Sequence, residues 1–220
     1  MSKFLAPVHT WLFNKIKLNE ALEVSLINAY KEKYGVAISK VALETEKHYG
    51  TFLGNATIEE LIDSSNIHGW LQSRITITET RQADFLTRVF EVYGREAIDL
   101  AHSIYNNKGA EIGINTKEQF EITTAPQIYE ALNNYILNGM PCDNANKITM
   151  REENNFQWLT EKCLHKGYWE SVGADNAIFY SLRNTWIKAF VENSNNNFTY
   201  TVESTDINGN PGFKNEIIRK

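Results

Sequence analysis

The segment "TEKCLHKGYW" holds Cys163 and His165 two residues apart. If Cys163 lies on an extended strand, period-two geometry puts thiol and imidazole on one face. There they could act as nucleophile and general base, or as half of a metal site. A small buried cysteine followed by a turn histidine fits the same spacing.

His9 and His68 are a second candidate. They head two closely similar stretches, "HTWLFNKI" and "HGWLQSRI". On a helix, His9, Leu12 and Ile16 share one face, as do His68, Leu71 and Ile75. Duplicated units would bring the two imidazoles to a local pseudo-two-fold axis. They could there ligate a divalent metal ion or face a small-molecule substrate from two sides, and Trp70, which projects from another face, is a further candidate substrate contact. The alternative is two core histidines, each bonded to the neighbouring unit's backbone. Glu20/Glu79 and Glu32/Glu91 repeat at the same interval, but without the Glu-x-x-His spacing of di-metal bundles, so helix contacts or solvent account for them better. Cys142 and Asp143, in "GMPCDNAN", fall in a joining loop, a common place for a ligand site, and Asp143 is a candidate substrate contact. Asp206 in "STDINGN" reads as a turn former, and Trp158, Tyr168, Trp169 and Trp186 as core.

The elements that must position these residues follow from the repeat. "VHTWLFNKIKLNEALEVSLINAYKEKYG" lies over "IHGWLQSRITITETRQADFLTRVFEVYG" without a gap, with eight of 28 positions identical. This is an internal duplication of a helical unit. Each copy should begin with a short helix near Pro7 or Asn66 and continue into a longer one. The pattern runs through Gly35 and Gly94, where the recurring glycine suggests close approach of two backbones. Gly50 and Gly109 would end the long helices. A weaker third echo, "TKEQFEITTAPQIYEALNNYI", predicts another capped apolar helix.

Beyond "LNGMPCDNAN" the pattern changes. "KITMREENNFQWLTEKC" reads as a β-hairpin turning at Glu152 to Asn155, "WESVGADNAIFYSLRNTWIKAFVEN" as a helix, and "FTYTVESTDINGNPGFKNEII" as two strands around a turn. The expectation is an α+β protein, with a duplicated helical region over 1–137 and a small antiparallel sheet with one packed helix over 138–220, the two making one compact unit.

Composition narrows the function classes. An apolar fraction of 42% with 12% aromatics supports a folded core. The net charge of −5, without a basic run, argues against nucleic acid. No run of ~18 apolar residues suggests a membrane span. The N-terminus reads as mature chain without a signal peptide. Two cysteines are too few for a disulfide scaffold, so a cytoplasmic setting fits. A homo-oligomer is compatible with all of this.

The run "FEVYGREAIDLAHSIYNNKGAEIG", followed by "EKCLHKGYWESVG", resembles the L-2-amino-thiazoline-4-carboxylic acid hydrolase family over about residues 85 to 215. The resemblance implies a helical segment joined to an α+β part. It also implies a hydrolase acting on a C–N bond of a small cyclic amino-acid-like compound. Cys163 matches the family's first cysteine and Asp206 its later acidic position; no cysteine follows Cys163 to match the second. In that setting Cys163 would attack or hold a metal, His165 would be general base, and His68 would line the pocket. Two other classes suit the residues. One is a non-catalytic binder of haem, metal or another small ligand through the paired histidines. The other is a helical adaptor meeting a partner through Trp11 or Trp70.

Overall fold

A computed structural model describes residues 6–63, 65–207 and 209–220, without the side chains of 210 and 211. The reading of the first five residues as the start of a mature chain lies outside them. The chain is α+β: α1 (Pro7–Tyr34), α2 (Val36–Tyr49), α3 (Ile58–Leu61), α4 (Ile67–Gln119) and α5 (Ala125–Asn133) precede β1 (Asn146–Glu152) and β2 (Asn155–Thr160). Then come α6 (Lys166–Glu170), α7 (Asn176–Ser194), β3 (Phe198–Ile207) and β4 (Asn210–Arg219). No helix among the described residues is long and apolar enough to cross a membrane.

Packing divides the chain into two units that do not follow chain order. The first comprises residues 1–100, 135–140 and 165–176; the second comprises 101–134, 141–164 and 177–220. The expected boundary at 137/138 lies between the last N-terminal helix and the first strand.

In the first unit the duplication becomes geometry. His9 meets His68, Asn19 Nδ2 donates to Thr78 Oγ1, and Tyr34 stacks on Tyr93 with ring centroids 3.9 Å apart. Each pair is 59 residues apart, so α1 and the first half of α4 run parallel and in register. Side chains at equivalent positions meet along a shared seam, as in a parallel coiled coil. Below the histidines, Leu12, Phe13, Ile16, Leu71 and Ile75 form a buried cluster, with Trp11 and Trp70 partly buried against it. Each copy starts as one continuous helix, rather than as the short and long helices expected.

Gly35 and Gly94 break the two helices at equivalent places, with φ/ψ of 80/−156° and 61/−144°. A Cβ at either would meet nothing within 4 Å, so close backbone approach is not why glycine recurs. The cause is conformational: this region of φ/ψ space is essentially reserved for glycine. After the Gly35 break, α2 doubles back along α1 and delivers Leu53, whose N–H donates to Glu20. Replacing Gly35 or Gly94 by Ala should therefore cost about 1–3 kcal/mol despite the open space. Urea titration of each variant checks this, and a neutral result would remove strain as the explanation.

Gly109 also departs from expectation. Gly50 ends α2, but Gly109 lies inside α4, which runs on to Gln119. In the second unit Gly109 and Gly113 are where backbones do approach: an added Cβ would lie 2.3 Å from the Trp186 carbonyl oxygen and 2.5 Å from that of Phe190. Helix α7 packs on α4 there, burying Trp186, Ala189 and Phe190. The antiparallel sheet has strand order β1-β2-β4-β3. Its inner face presents Phe156, Trp158, Phe198, Tyr200 and Ile217, all buried. Helix α5, capped by Thr124 and Gln127 in reciprocal hydrogen bonds, sets Tyr129 against Phe156 and Trp158. Asp206 caps the β3–β4 turn by accepting from the Gly209 N–H.

Candidate functional site

His9 and His68 each stand in the first turn of a helix. The His9 ring is half-buried and that of His68 exposed. Parallel packing of α1 and α4 brings Nε2 of one to 3.1 Å from Nε2 of the other, with ring centroids 5.2 Å apart. Neither is a core histidine bonded to the other copy's backbone; they bond each other at the surface. The Ala6 N–H donates to His9 Nδ1 at 3.2 Å. A neutral His9 therefore carries its proton on Nε2 and donates it to His68 Nε2, which leaves the His68 proton on Nδ1. Asn66 fixes the start of α4 by accepting the Gly69 N–H on its side chain and the Trp70 N–H on its carbonyl. Trp70 stacks on Phe13, with centroids 6.2 Å apart, and so braces the pair from the core side. Among the described residues, no group of three or more His, Cys, Asp or Glu is placed to hold a metal ion, so the chain itself offers two ligands at this point.

Cys163 and His165 are arranged differently from the strand expected. Strand β2 ends at Thr160, so Cys163 lies in the following irregular segment and strand alternation does not govern it. His165 is buried at the start of α6, within the first unit. Its Nδ1 lies 2.9 Å from Glu79 Oε1, its Nε2 3.2 Å from Asn138 Oδ1, and its ring stacks on Trp169. Both nitrogens are thus engaged in tying residues 138 and 165 to α4, a task Gln72 shares by donating to the Tyr168 hydroxyl. To serve as a base the imidazole would have to give up one of these partners. Cys142 and Asp143 sit exposed in a single 3-10 turn, Pro141–Asp143.

The duplicated glutamates split by depth. Glu32 and Glu91 are exposed, while Glu20 and Glu79 are buried. Glu20 belongs to an ionic cluster that the spacing of the repeat does not reveal. Arg81, fully buried, forks onto Glu23 with Nε–Oε1 and Nη2–Oε2 distances of 3.0 Å, and also reaches Glu20 Oε1 and the Gly50 carbonyl. Its guanidinium lies 3.7 Å from the Phe52 ring centroid, and Arg74 adds bonds to Glu20 and the Thr51 carbonyl. Burial raises the Glu23 carboxyl from its ordinary 4.5 to about 7, against the opposing pull of Arg81. The pairing in turn holds the proton on Arg81 more firmly, outweighing the cost of burying that cation. The cluster clasps the 50–53 loop to the helix pair.

No family model, curated protein or solved structure matches the chain.

Proposed function

We propose that the protein binds a transition-metal ion through the His9–His68 pair, as a ligand-binding module rather than a hydrolase. The observation that carries this reading is the 3.1 Å between the two Nε2 atoms. At a metal–nitrogen distance of about 2.0–2.1 Å, two tetrahedral ligands lie roughly 3.3 Å apart and two adjacent square-planar ligands roughly 2.9 Å. The pair falls between these values, on helices that the parallel seam holds in place. Imidazole nitrogens suit Zn2+, Cu2+ and Ni2+, whereas Mg2+ and Ca2+ prefer oxygen. Both histidines stand in the first turns of helices that hold no acidic residue there. Their dipoles favour an anionic co-ligand, such as a carboxylate or phosphate of a small molecule.

Metal entry displaces a hydrogen bond. For Nε2 of His9 to bind the ion, the proton of the neutral ring must move to Nδ1, which then gives up the Ala6 N–H. Binding therefore loosens the first helical turn. Titration calorimetry of the full chain with Zn2+ and with Cu2+ tests this reading. One ion per chain is expected, with affinity at least tenfold lower in His9→Ala and in His68→Ala. Full affinity in the double variant, or no uptake by the wild type, overturns it.

The hydrolytic reading draws on Cys163 and His165 and needs the imidazole released from Asn138 or Glu79. The histidine pair needs no such rearrangement of buried side chains.

A further inference from the structure

The hairpin β1–β2 carries one cysteine just before it and one just after. The register pairs Asn146 with Thr160, and the ladder extends one step as the Glu161 N–H donates to the Ala145 carbonyl at 3.1 Å. Thr160 Oγ1 also donates to Asn146 Oδ1 at this open end. Continued by register, the next rungs put residues 142–143 opposite residues 163–164. The backbone bends there: Asn144 takes a φ of 47°, and its side chain donates to the Cys142 carbonyl. That turn begins two residues from Cys142, and the last rung lies two residues from Cys163. Each cysteine thus lies two or three residues past the last rung of the hairpin. Both are thiols, Cys142 exposed and Cys163 half-buried.

We infer that Cys142 and Cys163 form an intrachain disulfide on exposure to a small-molecule disulfide such as oxidised glutathione. The exposed Cys142 thiolate attacks first, forming a mixed disulfide and expelling one small thiolate. Cys163, as thiolate, then attacks the Cys142 sulfur and expels the second. The protein's two thiols lose two protons and two electrons, and one small disulfide becomes two thiols. The bond would close the base of the hairpin as a redox-sensitive clasp. It requires the Cα atoms to come within about 7 Å, so closure asks the two short segments past the last rung to draw together.

The experiment uses the full chain at high dilution, treated with excess oxidised glutathione and quenched with a maleimide in denaturant. The expected product is lighter by two hydrogens, takes no maleimide, and yields a peptide linking Cys142 to Cys163 in the proteolytic map. Cys163→Ser should instead hold a stable glutathione on Cys142. Wild-type protein that keeps two maleimide-reactive thiols, or carries glutathione without the internal link, overturns the inference. The readout is independent of metal binding at His9 and His68.

Discussion

Arg81→Met should destabilise the protein by about 3–5 kcal/mol, because it strands the buried carboxylate of Glu23 without its cation and leaves Glu20 with Arg74 alone. Methionine fills much of the space, so the loss reads as electrostatic rather than as a cavity. Arg81→Lys should recover little, since an ammonium cannot fork onto Glu23 while also reaching Gly50 and lying against Phe52. The double variant Glu23→Gln/Arg81→Met should regain a large part of the loss, because it removes a charge along with its partner. Chemical denaturation of the three variants checks the series. An Arg81→Met protein within about 1 kcal/mol of wild type would show that the cluster is not desolvated.

The same cluster sets a pH dependence. Glu23 rises from 4.5 to about 7 in the folded chain. Between those values the folded state holds a proton that the unfolded state has released, so stability falls as pH rises through this window. Below 4.5 both states are protonated, and above 7 the full penalty of roughly 3 kcal/mol is present. Glu23→Gln should flatten this slope. Arg81→Met should steepen it, hurting more at pH 8 than at pH 5, because an unpaired Glu23 holds its proton to higher pH still.

How far the sequence carried depended on what each signal encodes. The 59-residue interval specified equivalent positions in two helices, and the parallel seam makes those positions meet; hence His9 finds His68 and Tyr34 finds Tyr93. Gly35 and Gly94 were legible as special but not as to why, since one glycine serves equally for a tight approach or for a positive φ. Arg81 stood in plain view between Thr80 and Gln82, but its partners lie 58 and 61 residues away and on a loop. In the repeat it lies opposite Leu22, so the duplication gives it no echo. The strand expected to reach Cys163 stops at Thr160, where the polar "EKC" leaves the ladder after a single further bond. His165 drew attention for a neighbour in sequence, while its partners, Glu79 and Asn138, come from elsewhere in the chain.

Gly109→Ala and Gly113→Ala carry the second large expected effect, and here the "GAEIG" spacing was itself the overlooked sign of two helices in close contact. Glycines four apart line one face of a helix. On that face the α7 carbonyls of Trp186 and Phe190 sit where a Cβ would be, at 2.3 and 2.5 Å. Backbone carbonyls cannot rotate away as a side-chain tip can, so the helices must separate and loosen the packing of Trp186 and Phe190. Overpacking of this kind costs about 1–3 kcal/mol, set against the roughly 1 kcal/mol that Ala gains over Gly within a helix. Each single variant should still lose stability, and the double variant should lose more, since both methyls push the same interface apart. Gly167→Ala is the internal control: it lies in α6 with nothing within 4 Å, so it should be neutral or slightly stabilising. Thermal melts of the four proteins decide the matter, and equal behaviour of Gly109→Ala and Gly167→Ala would mean that α4 and α7 do not meet as closely as their glycines require.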